Sequence, residues 1–188
     1  MRALIIFICV LCAAPLSAQE VSTPMREGPK VWPPIGWIGF CNRLPQECNG
    51  LEMQPLAHVL DERAWRSLVK VNSFVNKTIK GKSDWDHWGL EELWSYPDDG
   101  YGDCEDYALL KKRMLIQEGW PPQSLRLTWL RENNGNFHVV LTIVTSKGDY
   151  ILDIMTQEIL PWTKTLYWYN YIMRQSGTHP NRWVAIEK

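Results

Sequence analysis

Cys104 is the residue of this sequence best suited to nucleophilic chemistry. It stands in Gly102-Asp103-Cys104-Glu105-Asp106-Tyr107-Ala108, at the first turn of a predicted helix. Unpaired helix N–H groups and the positive end of the macrodipole favour a thiolate there. On a 3.6-residue wheel Cys104 shares a face with Tyr107, Ala108, Met114 and Leu115, while Asp106, Arg113 and Gln117 lie opposite. The thiol is therefore expected to face the sheet on which the helix packs. Asp103, Glu105 and Asp106 oppose its ionisation, because nearby anions raise a thiol pKa. A base must reach the sulfur, and His138 in Phe137-His138-Val139-Val140-Leu141 is the candidate. Strand alternation puts His138, Val140, Thr142 and Val144 on one face. A four-residue loop at 145–148 would set Asp153 opposite Val140, as a diagonal neighbour of His138 about 7–8 Å away. That is a nucleophile–base–orienter arrangement; a register slip of one residue would turn Asp153 to the other face. By spacing alone, a buried thiol and a satisfied core histidine read equally well.

The elements that must position these residues follow from periodicity and punctuation. Ala64, Leu68, Val71 and Val75 recur at helical spacing, flanked by Trp65 and Asn72, and predict a helix from Asp61 to about Ile79, ended by Gly81. Asp103 opens a second helix to Glu118, with Gly119 as C-cap and Pro121-Pro122 beyond. Leu125–Arg131, Phe137–Thr145 and Tyr150–Met155 read as strands, with turns at Asn133-Asn134-Gly135 and Ser146-Lys147-Gly148, and Trp183–Ile186 as a short last strand. Residues 19–40 and 83–101 read as irregular. The aromatic segment of Trp162, Tyr167, Trp168, Tyr169 and Tyr171 reads as core packing. Helices first and antiparallel strands later give an α+β fold, with the N-terminal helices packed on the sheet.

Composition sets the compartment and the bounds. The 188 residues are 45% hydrophobic and 22% charged, which excludes a disordered or low-complexity chain. A net charge of −1 leaves no basic footprint for nucleic acid. Met1-Arg2, the apolar run Ala3 to Ala14 and Pro15-Leu16-Ser17-Ala18 read as a secretory signal peptide over residues 1–18, too short for a spanning helix. Residues 19–188 then form one domain, exported and without a transmembrane segment. Cleavage removes Cys9 and Cys12 of the five cysteines. Cys41 and Cys48 bracket a short Pro-containing loop and read as a local disulfide in an oxidising compartment, or else as free thiols or metal ligands. Pairing them leaves Cys104 alone.

The motif G-x-G-D-C-E-D-Y-A (Gly100 to Ala108), His138 in H-V-V-L and Leu152-Asp153 resemble the bacterial transglutaminase-like cysteine proteinases, periplasmic proteases of the LapG type. Trp88-Gly89, Trp94 to Pro97, the Val71-Asn72 and Val75-Asn76 pairs and the Cys41–Pro45–Cys48 loop add to the likeness, which runs from about Phe40 to Trp183. The resemblance implies a papain-like, transglutaminase-type fold with Cys104 as nucleophile, His138 as base and Asp153 as orienter. It implies calcium (Ca2+) at Asp103, Glu105 and Asp106, with Asp98 or Asp99 as further ligands; a hard cation would offset the charge that opposes the thiolate. The alternative for Asp103 and Asp106 is helix capping, as N-cap and N3. The resemblance also implies a periplasmic endopeptidase that cuts the N-terminal region of a large surface adhesin at an Ala-Ala site, so dispersing a biofilm. Its regulatory partner would be an inner-membrane cyclic di-GMP receptor. The family reads H-A-V-L and L-D-N where this chain has Val139 and Ile154. These departures spare the triad and reshape the cleft. Transglutaminase- or amidase-type acyl transfer on the same triad, and a non-enzymatic periplasmic binding or signalling module, are the competing functions. His58 and Asp61 read as solvent-facing, His87 as a packed loop residue and His179 as part of a turn.

Overall fold

Asp61 starts the long amphipathic helix by accepting a hydrogen bond from the Ala64 N–H at 2.7 Å, as an N-cap should. Its buried stripe is Ala64, Leu68, Val71, Asn72 and Val75, the face that periodicity marks. The computed structural model describes residues 21–167 and 170–187. The predicted signal peptide, with Cys9 and Cys12, and Trp168 and Tyr169 lie outside the described residues. In chain order the elements are β1 (Arg26–Val31), α1 (Ile35–Arg43), α2 (Pro45–Cys48), α3 (Glu62–Thr78), β2 (Lys80–Gly81), α4 (Asp84–Trp88), β3 (Tyr101–Gly102) and α5 (Cys104–Gln117). There follow β4 (Leu125–Arg131), β5 (Phe137–Thr145), β6 (Gly148–Leu152), β7 (Leu160–Pro161), β8 (Tyr171–Gln175) and β9 (Trp183–Glu187).

Seven strands form one sheet in the order β1-β9-β8-β4-β5-β6-β7, antiparallel at every pairing. Alternation along β5 assigns its two faces. Val139, Leu141 and Ile143 enter a core with Leu68, Val71 and Val75 of α3 and Ala108 and Leu115 of α5. Val140 enters a second cluster with Leu130, Ile151 and Tyr171 on the far face. Beside it lies an ionic network of buried Arg174, Arg126 and Asp149 with the more exposed Glu27, in which Arg174 pairs with Asp149 at 2.7 Å and with Glu27 at 3.1 Å, and Arg126 pairs with Glu27. These buried charges are tolerated because each has an oppositely charged partner, although Arg174 Nε and Asp149 Oδ1 have no hydrogen bond.

Several stretches differ from expectation, among them residues 84–88, read as irregular and forming helix α4. Residues 26–31 and 35–43 are a strand and a helix. β1 takes its pairing from β9, at the other end of the chain. The Trp37 and Phe40 side chains of α1 pack in an aromatic cluster with Trp94 and Trp183. β6 begins at Gly148 and stops before Asp153, whose Oδ1 accepts the Met155 N–H at 3.1 Å and turns the chain out of the sheet. The aromatic segment packs as expected where it is described, with Tyr171, at the start of β8, buried in the far-face cluster and Trp162 and Tyr167 against it. The disulfide Cys41–Cys48 is formed and joins α1 to α2. Among the described residues no helix is long and apolar enough to cross a membrane.

Candidate active site

The sequence Gly100-Tyr101-Gly102 makes the entry to α5 possible. Gly100 turns with φ +87°, a conformation L side chains avoid. A Cβ on Gly102 would lie 2.7 Å from Asp106 Cβ, so only glycine lets the strand pass so close to the helix. Through these residues β3 pairs in parallel with β2, at Lys80↔Tyr101 and Gly81↔Gly102. That pairing carries α4, which follows β2, to the N-terminus of α5.

Cys104 opens α5, half-buried, and is the free cysteine among the described residues. Its Sγ meets β5 where the Val139 N–H donates to it at 3.4 Å, one residue from His138. The thiol itself donates to Glu105 Oε2 at 3.2 Å. Sγ thus sits at the strand that carries His138, but no hydrogen bond joins thiol and imidazole. Burial first, then the Glu105 and Asp103 charges, push the Cys104 thiol well above its ordinary value, against the opposing Val139 N–H.

His138 and Asp153 come together as alternation and register require. Leu141↔Leu152 is the last β5–β6 pair, so Asp153 falls opposite Val140 and on the face of His138. His138 Nε2 lies 2.8 Å from Asp153 Oδ1, and both side chains are buried. Asp153 Oδ2 accepts from the Tyr167 hydroxyl. Burial pushes this carboxyl up. The His138 and Tyr167 hydrogen bonds, the His138 charge and the Met155 N–H outweigh it and hold the group below the usual carboxylate range. Behind Asp153, the Asn76 side chain donates to the Asp153 carbonyl at 2.8 Å and to the Thr156 carbonyl at 3.1 Å, and Asn72 donates to the Gln157 carbonyl at 3.2 Å. Two polar residues on the buried side of α3 therefore hold the turn that presents Asp153. Asparagine within an apolar helix stripe was the signal available in the sequence.

A carboxylate cluster adjoins the thiol, with a membership that differs from expectation. Asp84, Asp103 and Glu105 each offer an oxygen, and these atoms lie within 4.8 Å of one another. Asp84, the first residue of α4, belongs to this cluster and was not anticipated, because it stands far upstream of Cys104. Asp106 is not brought into it. Its Oδ1 accepts the Ser95 N–H at 2.7 Å, and the side chain is fully buried rather than on an outward face, because the segment around Ser95 covers that side of α5. Burial pushes Asp106 up to about 8. Nor does the Asp103 side chain cap α5. Asp103 Oδ2 instead accepts the Asp84 N–H at 3.2 Å. Asp98 and Asp99 are engaged elsewhere, with Arg113 at 2.7 Å and His87 at 2.8 Å. Asp84 Oδ1 and Asp103 Oδ1 are buried without a hydrogen-bond partner. Burial raises the Asp84 carboxyl, and burial together with Asp103 raises Glu105. Acceptor-only oxygens converging in low dielectric, two of them unsatisfied, suit a hard cation with oxygen ligands.

The remaining histidines are accounted for locally. His58 is half-buried and packed against Trp120, with ring centroids 4.2 Å apart and the rings tilted at 42°, not solvent-facing, because its backbone bridges to β5 at Thr145. Asp61 is exposed. His87 packs on Trp88 at 3.9 Å, within helix α4 rather than a loop. His179 Nδ1 accepts the Asn181 N–H in a turn.

The family model described as bacterial transglutaminase-like cysteine proteinase BTLCP matches residues 27–188. Solved structures of Legionella pneumophila LapG are similar. The calcium-bound form is 28% identical with a TM-score of 0.51, over 58% of this chain and 64% of that one. A second LapG structure is 28% identical with a TM-score of 0.54, over 64% and 68%. The EGTA-treated form is 29% identical with a TM-score of 0.50, over 58% and 62%. The match thus spans less than two thirds of the calcium-bound LapG chain. No curated protein matches the sequence.

Proposed function

The chain belongs to the bacterial transglutaminase-like cysteine proteinases, and from that premise we propose that it is a calcium-dependent cysteine endopeptidase of the periplasm using Cys104, His138 and Asp153. The observation that carries this reading is the His138–Asp153 pair on β5–β6, beside a free thiol held at the Val139 N–H. Asp153 and its hydrogen-bonded partners fix one imidazole nitrogen. That leaves Nδ1 as the nitrogen to exchange protons with Sγ. Cys104 attacks the peptide carbonyl, His138 protonates the leaving amine, and water then releases the acyl group by the same route in reverse. The Cys104 N–H, at the start of α5, helps hold the oxyanion.

Asp84, Asp103 and Glu105 would hold the calcium ion, and the LapG structure matched here in a calcium-bound form supports that assignment. Bound there, the cation would supply positive charge against the carboxylates that otherwise keep the thiol protonated. Glu105 accepts the thiol's hydrogen bond, and with its carboxylate held to the cation it would compete less with His138 for that proton. Residues 1–18 act as the signal peptide, and residues 19–188 form the exported domain. The substrate is the N-terminal region of a large surface adhesin, cut at an Ala-Ala pair to release the cell from a biofilm. An inner-membrane cyclic di-GMP receptor is the regulatory partner.

Incubating the purified protein with an N-terminal adhesin fragment bearing an Ala-Ala pair, and weighing the products, tests this reading. Two fragments in calcium and intact substrate in EGTA are expected. An isopeptide crosslink would point instead to amine acyl transfer, and cleavage by Cys104→Ala would remove the nucleophile assignment.

A further inference from the structure

Asp153 is oriented from two directions, and one of them comes from a residue that the triad does not include. Its Oδ1 receives His138 Nε2 and the Met155 N–H, while Oδ2 receives the Tyr167 hydroxyl. The Tyr167 ring lies 5.8 Å from the imidazole, inclined at 56°. Tyr167 is half-buried, and it is placed against Asp153 from a segment outside the β5–β6 hairpin. Asp153 and Tyr167 both line a cavity of about 190 Å³, together with Ile151, Met155, Leu160 and Leu166. Without the phenol, water entering that cavity is the alternative partner of Oδ2. A mobile water neither fixes the carboxylate plane nor screens the His138–Asp153 bond from solvent. A phenol does both, since its hydroxyl is an oriented donor and its ring is apolar cover.

We propose that Tyr167 is a positioning residue of the reaction, which fixes the Asp153 carboxylate by its hydroxyl and covers the His138–Asp153 pair with its ring. The proposal rests on the triad reading above. Tyr167 acts through Asp153 and His138 and needs no contact with substrate. Burial and the Asp153 charge push its own hydroxyl well above the usual phenol range, so it remains a donor throughout the working pH.

The test uses the purified protein saturated with calcium and acetyl-Ala-Ala chloromethyl ketone, a probe whose saturable alkylation of Cys104 separates binding (KI) from reaction (kinact). Tyr167→Phe keeps the ring and loses the hydroxyl. It is expected to keep the wild-type melting temperature and KI, with kinact about tenfold lower, as for one lost hydrogen bond to a charged acceptor. The acid limb of kinact should move to higher pH, because Asp153 without that donor protonates more readily. Tyr167→Leu should lose more, having lost the cover as well. Wild-type kinact and acid limb in Tyr167→Phe, while Asp153→Asn is impaired, overturn the proposal alone. So does a loss that comes with a lowered melting temperature and an unmoved acid limb, which is a structural role. Asp153→Asn with wild-type kinact and pH dependence overturns the triad reading itself.

Discussion

A thiol beside carboxylates is a poor nucleophile, and here Glu105 takes the thiol's own hydrogen bond. The cost is offset only if the carboxylates are engaged by positive charge, which ties nucleophile and cation into one unit. Cys104→Ala should therefore abolish cleavage, and Asp153→Asn should lower kcat by roughly 10³-fold with KM little changed, since it leaves the imidazole without its anionic orienter. The Asp153 carboxyl is held below the usual range, so its stabilisation is present above the unfolded carboxyl pKa and lost as pH falls through the folded one. Acid unfolding of the wild type below about pH 4 should be less steep in Asp153→Asn, followed by circular dichroism. At this scale the meeting of His138 and Asp153 was legible in strand alternation and a short loop, whereas the nucleophile role of Cys104 came from the resemblance of its motif, since spacing alone reads equally well as a buried thiol and a core histidine. Tyr167 was not legible. It follows Asp153 by an irregular stretch interrupted only by the short strand β7, whose course no sequence pattern dictates, and among many aromatics nothing marks the one whose hydroxyl has a task.

The pairing of β2 with β3 decides which acids meet. It draws α4 to the start of α5, so Asp84 joins Asp103 and Glu105 although no spacing rule links them. Asp84→Asn, remote in sequence from the nucleophile, should weaken calcium affinity at least tenfold by calorimetry, whereas Asp98→Asn should not. Asp106 shows the opposite error of a wheel drawn without its surroundings. The side opposite Cys104 is covered where Ser95 donates to Asp106, and the carboxyl is pushed up to about 8. In calcium-free protein the folded state keeps that proton while an unfolded carboxyl releases it near pH 4, so stability falls as pH rises from about 4 to 8. Asp106→Asn should flatten that slope in EGTA and raise the melting temperature at pH 7. An unchanged slope would mean that Asp106 ionises normally. The β5–β6 register could be read ahead because the loop from Thr145 to Gly148 is short and both strands alternate.

For the whole molecule, the sheet has two unlike faces. Helices α3 and α5 cover one with apolar side chains, and the other combines a smaller apolar cluster with the Arg126–Glu27–Arg174–Asp149 network. The α+β class was legible because helical and strand periods occupy separate halves of the sequence. β1 was not, since its partner β9 lies at the far end and its residues make no alternating pattern. The Cys41–Cys48 disulfide ties α1 to α2, and replacing both cysteines by serine should cost about 2–3 kcal/mol by denaturant unfolding while leaving the triad assembled. The central claim is that Cys104 becomes reactive only when both His138 and the acid-bound cation serve it. Mass spectrometry of Cys104 alkylation by acetyl-Ala-Ala chloromethyl ketone tests it most directly, with wild type and His138→Ala each in calcium and in EGTA. Rapid modification of Cys104 is predicted for wild type in calcium alone; equal rates under all four conditions would contradict the account.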